Sequence, residues 1–116
     1  MSKLIKLRKK AQYIFHKWVR ERDKDLPCIS CGKFRELQAG HYVPQKTSAF
    51  LVMHEWNVNG ECAGCNSFDR FHLIPYRENL IKKIGLENVV WLEENRHAVK
   101  RWTIQELTEI IEKYTI

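Results

Sequence analysis

Four cysteines, arranged as Cys28-x-x-Cys31 and Cys62-x-x-Cys65, are all the cysteines in the chain. Tetrahedral zinc takes four thiolates, and each C-x-x-C turn offers two from one knuckle, so the two pairs together close one structural zinc site. Redox pairs or unrelated thiols are the competing reading. "CISCG" and "CAGCN" both bend on small residues, and neither sits in the strand-to-helix context of a redox motif. Zinc alone has no use for an asparagine, yet Asn66 directly follows Cys65. The 30 residues from 32 to 61 exceed what a compact zinc ribbon requires, and they contain His41 in "AGHY" and Asn57 in "EWNVNGE". His72 follows six residues after Asn66.

These residue types suit phosphodiester hydrolysis. That reaction needs a nucleophilic water, a cation against the phosphate charge, and help for the departing 3′-oxygen. A neutral imidazole such as His41, with an ordinary pKa of about 6.5, accepts a proton near neutrality when a neighbour holds its other nitrogen. The amide oxygen of Asn66 is a hard ligand for Mg²⁺ or Mn²⁺, and a zinc-bound neighbour would fix its position. Each residue also has a plainer use: His41 as a hydrogen-bonded hairpin residue, Asn57 as a turn cap, His72 as an exposed helical histidine, and Asp69 as the surface partner of Arg70.

Helices must frame this segment. Leu4, Leu7, Ala11, Ile14, Phe15 and Trp18 recur at helical spacing within a basic stretch from Lys3 to Arg22, which ends before Pro27. Residues 28 to 43 predict a short hairpin, and 44 to 55 a loop with a short element. "LIPYRENLIKKIG" carries Pro75 in a first turn and Gly85 at a stop, and "LENVVWLEENRHAVK" continues as a helix to about Arg96. Thr103 and Glu106 form a capping box ahead of the stripe Ile104, Leu107, Ile110, Ile111 and Tyr114. The stripe reads as core or as a dimer seam. The four tryptophans read as core rather than as stacking platforms for bases.

The 116 residues carry a net charge of +6, which favours a polyanionic partner, although many basic proteins use charge only for solubility. No apolar run approaches a membrane span, and the N-terminus lacks the features of a secretory signal, so a cytoplasmic location is expected. No linker divides the chain, and a single domain over 1–116 is expected.

The order His41, Asn57, Asn66, His72 around a C-x-x-C resembles the HNH, or ββα-metal (His-Me finger), nucleases. It is similar to phage endonuclease VII, in which an asparagine follows the second knuckle and binds the catalytic metal. "CISCG", "AGHY", "EWNVNGECAGCNS" and "LIPYRENLIKKIG" resemble more closely the NinG/Rap family of lambdoid-phage recombination endonucleases, over about Leu26 to Gly85. The resemblance implies an α+β fold. A basic N-terminal helix (1–25) and C-terminal helices (86–116) would flank a zinc-stapled HNH-like core (26–85). It makes His41 the general base, oriented by Asn57, and gives the catalytic Mg²⁺ or Mn²⁺ to Asn66 and His72, with Asp69, then Glu55 beside His54, as further candidates. It also implies a phage or prophage protein acting on branched DNA in the bacterial cytosol. A homodimer suits a junction with two strands to cut.

DNA contact is expected from Lys9, Lys10 and Lys17 on the first helix, with Lys6, Arg8 and Arg20, and from Tyr42, Lys46, Arg70 and Arg77 around the centre. One position departs from the pattern. Gly40 stands where most HNH enzymes carry an Asp or His that also binds metal. That leaves two rivals: a zinc-ribbon DNA-binding protein that recruits recombination factors without cutting, and an HNH enzyme for linear duplex.

Overall fold

A computed structural model describes residues 1–116 as a mixed α+β fold. The element order is α1 (Lys3–Asp23), β1 (Leu37–His41), β2 (Val58–Cys62), a single π-helical turn (Gly64–Phe68), α2 (Leu73–Ile84), α3 (Leu86–Glu94) and α4 (Ile104–Tyr114). Local signals set the helix ends as expected. Ser2 caps α1 through a 3.2 Å bond from the Ile5 amide. Pro75 is the third residue of α2, where its missing N–H has no intrahelical role. Gly85, at φ +90°, separates α2 from α3 in a backbone region that a side chain would strain. Thr103 and Glu106 close the capping box of α4. No helix is long and apolar enough to cross a membrane.

The expected hairpin within residues 28 to 43 does not form. Instead the Cys28 amide bonds the Lys33 carbonyl at 2.9 Å, making a tight knuckle that turns through Gly32 at φ +74°. Residues 32 to 36 form no strand, and β1 finds its partner much later in the chain. It pairs antiparallel with β2, with Gln38 opposite Glu61, Gly40 opposite Asn59 and His41 opposite Val58. The Ile29 amide also bonds the Gly60 carbonyl at 2.9 Å, so the first knuckle docks on the strand that leads into the second.

The core has three parts. Ala11, Phe15 and Val19 of α1 pack with Val52, Met53, Val58, Leu107 and Tyr114. The α4 stripe is therefore largely buried within the chain, against α1, and offers little as a dimer seam; only Ile104 at its start is well exposed. A second cluster joins Ile29, Val43 and Leu51 to α2 and α3 through Tyr76, Leu80, Val89 and Leu92. Cys28, Leu37, Cys62 and Cys65 form the third. The tryptophans are all partly buried. Trp18 and Trp102 flank the first cluster, and Trp56 and Trp91 the second.

A buried ionic group ties α1 to β2 and α2. Asp23 accepts from the Gly60 amide at 2.8 Å and pairs with Arg22 at 2.8 Å and Lys83 at 3.1 Å. Burial pushes its carboxyl up, but these partners outweigh burial and hold its pKa below the ordinary value.

Candidate metal and catalytic site

Cys28, Cys31, Cys62 and Cys65 bring their sulfurs within 4.8 Å of one another. The Cys31 and Cys62 sulfurs lie 3.9 Å apart. A tetrahedron with Zn–S bonds of about 2.3 Å has an edge of about 3.8 Å, so the spacing fits one zinc ion. The amides of Cys31 and Cys62 point at the Cys28 sulfur, at 3.4 and 3.3 Å, and would stabilise a thiolate there. Four cysteines thus form a cluster compatible with zinc.

The second knuckle continues directly into a widened turn. The Asp69 amide bonds the Gly64 carbonyl five residues back, at 3.1 Å, which is π-helical pairing. This turn buries Cys65 while leaving Asn66 half-buried beside β1. There the Asn66 Nδ2 donates to Gln38 Oε1 at 2.9 Å, leaving Oδ1 as the free end of the amide.

A cleft of about 430 Å³ gathers His41, Asn66 and His72 from three separate segments, with Lys46 and Gln45 from the long loop between the strands. His41 ends β1 and is 8% exposed. Its Nε2 lies 3.0 Å from the Val52 carbonyl, so this nitrogen carries the proton and Nδ1 keeps its lone pair. Burial lowers the His41 pKa, partly offset by the Val52 bond, which favours the neutral base near pH 7. The ring of His16 on α1 packs edge-on against it, with centroids 5.2 Å apart. Burial first, then the charges of His41 and Arg20, lower His16 to a pKa of about 4.

Asn57 makes no hydrogen bond to His41. It is fully buried, accepts from the Val43 amide at 2.8 Å, and donates to the Val43 and Leu51 carbonyls at 3.1 Å each. These bonds hold the loop whose Val52 carbonyl accepts the histidine N–H, so the orientation passes through one backbone residue. His72 immediately precedes α2, and its Nδ1 lies 2.6 Å from Glu61 Oε2.

Other expected residues lie elsewhere. Asp69 is not on a helical face shared with Asn66, because the turn is π-helical and Asp69 itself is extended; its carboxylate accepts from the Phe71 amide at 2.9 Å. Glu55 accepts from the Tyr114 hydroxyl at 2.7 Å and ties α4 to the loop, and His54 stacks among Trp56 and Trp91. Tyr42 and Arg77 both bind Glu93, Arg77 through bonds of 2.7 and 3.1 Å, and line a larger cleft of about 800 Å³. That cleft is the bigger one, but these polar groups satisfy each other and it holds none of the three converging residues. Lys9, Lys10, Lys17, Lys46 and Arg70 are all exposed.

Three features were not anticipated. Gln38 holds Asn66, Glu61 holds His72, and the turn after Asn66 exposes Phe68 and Phe71 on either side of Arg70, at 82% and 68%. No local signal in "VNGEC" singles out Glu61, because the burial of the whole strand shows only in the fold.

The bacteriophage lambda NinG protein family matches residues 1–116. Among individual relatives, the chain is 43% identical over 108 residues to protein ninG of Escherichia phage 933W, covering 91% of this chain and 53% of that protein. It is 43% identical over 108 residues to protein ninG of Escherichia phage lambda, covering 91% and 52%. Against protein ninG of Salmonella phage P22 the figures are 40% over 108 residues, 91% and 53%. The chain spans about half the length of these relatives. No solved structure matches it significantly.

Proposed function

The chain belongs to the bacteriophage lambda NinG protein family, and from that premise we propose that it is a metal-dependent DNA endonuclease of HNH type that cuts branched recombination intermediates. The observation that carries this reading is the meeting of His41, Asn66 and His72 in one cleft beside Lys46. A general base, an amide oxygen, an imidazole and a free cation are the parts that phosphodiester hydrolysis uses.

In this reading His41 Nδ1 takes the proton of the attacking water while Val52 holds Nε2. Lys46 draws the phosphate toward the cleft. Asn66 Oδ1 and His72 Nε2 would hold a divalent cation, Mg²⁺ or Mn²⁺, which would supply positive charge for the phosphate and the departing 3′-oxygen. A zinc ion on the four cysteines would serve as scaffold, outside the chemistry. Helix α1 follows a neighbouring stretch of backbone through Lys9, Lys10 and Lys17. Phe68 and Phe71 offer faces on which unpaired bases at a branch can stack. Two copies would place two such centres on the two strands of a four-way junction.

The test is a labelled four-way junction incubated with Mg²⁺ or Mn²⁺ and wild-type protein or His41→Ala, beside a linear duplex of the same arm sequence. The expected result is junction cutting by wild type, at least about 100-fold slower in His41→Ala, since a positioned base contributes about 10²–10⁴-fold, with duplex left largely intact. Equal binding by both proteins with the junction uncut would reject the nuclease and leave a DNA-binding accessory protein. Equal cutting of duplex and junction would reject branch selectivity.

A further inference from the structure

The geometry points to Glu61 as the acidic group of the cation site, acting through His72, and to Gly40 as the opening that lets it stand there. This inference rests on reading the cleft as a cation site. It accounts for the glycine found where an acidic or histidine ligand is expected.

Cross-strand pairs share a sheet face, so Gln38, Gly40, Asn59 and Glu61 lie on one side of the two-stranded sheet. The Asn59 amide meets the Tyr76 hydroxyl at 3.1 Å and Glu61 meets His72, so this face is turned to α2 and its approach. A Cβ built on Gly40 would come within 2.8 Å of the Glu61 Cβ and 3.2 Å of its Cδ, and closer still to Oε1. A side chain at position 40 and the Glu61 carboxylate therefore compete for one volume. Glycine resolves the competition in favour of Glu61, and the acidic group reaches the site from β2 instead of β1.

Glu61 is poorly compensated as it stands. It is 0% exposed, its Oε2 is shared by the Ser30 hydroxyl and His72 Nδ1, and its Oε1 has no hydrogen-bond partner. Burying a carboxyl with an idle oxygen is costly, and an apolar side chain would fill the space without that cost. Its placement has a use. A carboxylate on Nδ1 fixes the imidazole proton there, turns the Nε2 lone pair outward and raises its basicity, the support that metal-ligating histidines take from a carboxylate. Glu61 is the one carboxylate hydrogen-bonded to any residue lining the cleft. Asn66 and His72 are neutral ligands, and Glu61 is the carboxylate bonded to one of them. Glu61 is a positioning residue that also supplies negative charge.

The experiment measures Mn²⁺ binding to the zinc-loaded full chain by water-proton relaxation, with zinc content and melting temperature recorded for each variant. Glu61→Gln keeps an acceptor for Nδ1 but removes the charge, and is expected to weaken Mn²⁺ binding by about 10- to 100-fold with one zinc per chain retained. Gly40→Ala, which displaces the carboxylate, is expected to act in the same direction. If Asn66→Ala loses Mn²⁺ while Glu61→Gln binds it like wild type, the role of Glu61 is wrong and the cation site stands. If wild type binds no Mn²⁺, the inference and the cation-site reading both fail. Should Glu61→Gln not fold, the ring ¹⁵N shifts of His72 in wild type decide instead. The Nδ1–H tautomer supports the assignment and the Nε2–H tautomer overturns it.

Discussion

The Nε2 of His41 lies 3.0 Å from the carbonyl oxygen of Val52, on a loop that the buried amide of Asn57 ties down at Val43 and Leu51. The histidine at the end of β1 is thus aimed by a carbonyl eleven residues ahead, and that carbonyl is placed by a side chain leading into β2. A single internal asparagine sets the shape of the loop and, with it, the tautomer of the ring.

Asn57→Ala should therefore be a stability variant and an orientation variant together. It leaves the Val43 amide without an acceptor and two buried carbonyls without their donor, each loss costing about 1–3 kcal/mol. A total of at least about 3 kcal/mol is expected in urea unfolding. Any cleavage activity should fall with it, while zinc content is unchanged. A variant with wild-type stability would show that the three bonds do not hold the loop.

The acid side of the pH profile offers a separate check. Burial keeps the folded pKa of His41 below its ordinary 6.5 and brings that of His16 down to about 4. For a group whose folded pKa is depressed, the unfolded chain binds the proton more readily. The stability it contributes is present above the unfolded pKa and is lost as pH falls through the folded one. Melting temperature should therefore drop between pH 6.5 and about 4, and His16→Phe should flatten part of that drop. A cleavage rate governed by His41 should keep its plateau to a pH below 6.5 and then decline. An acid limb centred above 6.5 would mean that His41 is not the base, or is not buried as described.

How much of this could be read from the chain alone depends on whether the signal was local. The limits of α2 and the start of α4 follow from Pro75, Gly85 and the Thr103–Glu106 box, each written within a few residues of the boundary it sets. The strand pairing was misread because it is not local. β1 joins a partner some twenty residues on, and what brings the two together is the cysteine cluster at their base, so the first knuckle closes on itself and no early hairpin forms. The meeting of His41, Asn66 and His72 was expected from the family resemblance that the order of motifs carries. Glu61 was not, since its role depends on a contact across the sheet that exists only because Gly40 has no side chain. The link between Tyr42 and Arg77 was hidden for a related reason. Their partner Glu93 comes from α3, which no spacing near the knuckles could reveal.

The cysteine cluster carries its own prediction. One zinc per chain is expected by elemental analysis, and chelation should abolish the cooperative thermal transition of the knuckle region. Apparent zinc binding of about 10 kcal/mol or more is comparable with the whole stability of a small domain, about 5–15 kcal/mol. Cys28→Ser should behave like chelation, because that sulfur also receives the amides of Cys31 and Cys62. Zinc-free protein that melts like the loaded form would show that the thiols pack without a metal.

The basic face of α1 can be tested apart from the chemistry. Lys9, Lys10 and Lys17 are exposed, and no hydrogen bond or ion pair holds any of their side chains. If all three meet phosphates, replacing them with Gln should reduce the slope of log affinity against log salt by up to about 2.7, from about 0.9 per contact on duplex arms. The loss should be similar for a junction and a linear duplex, since phosphate contacts carry no sequence or branch information. Lys46→Gln differs because Lys46 lines the cleft. It should lower cleavage more than it lowers binding, whereas the helix variants should lower binding and leave the rate at saturating protein unchanged. A triple variant whose salt slope matches wild type would remove α1 from the DNA interface.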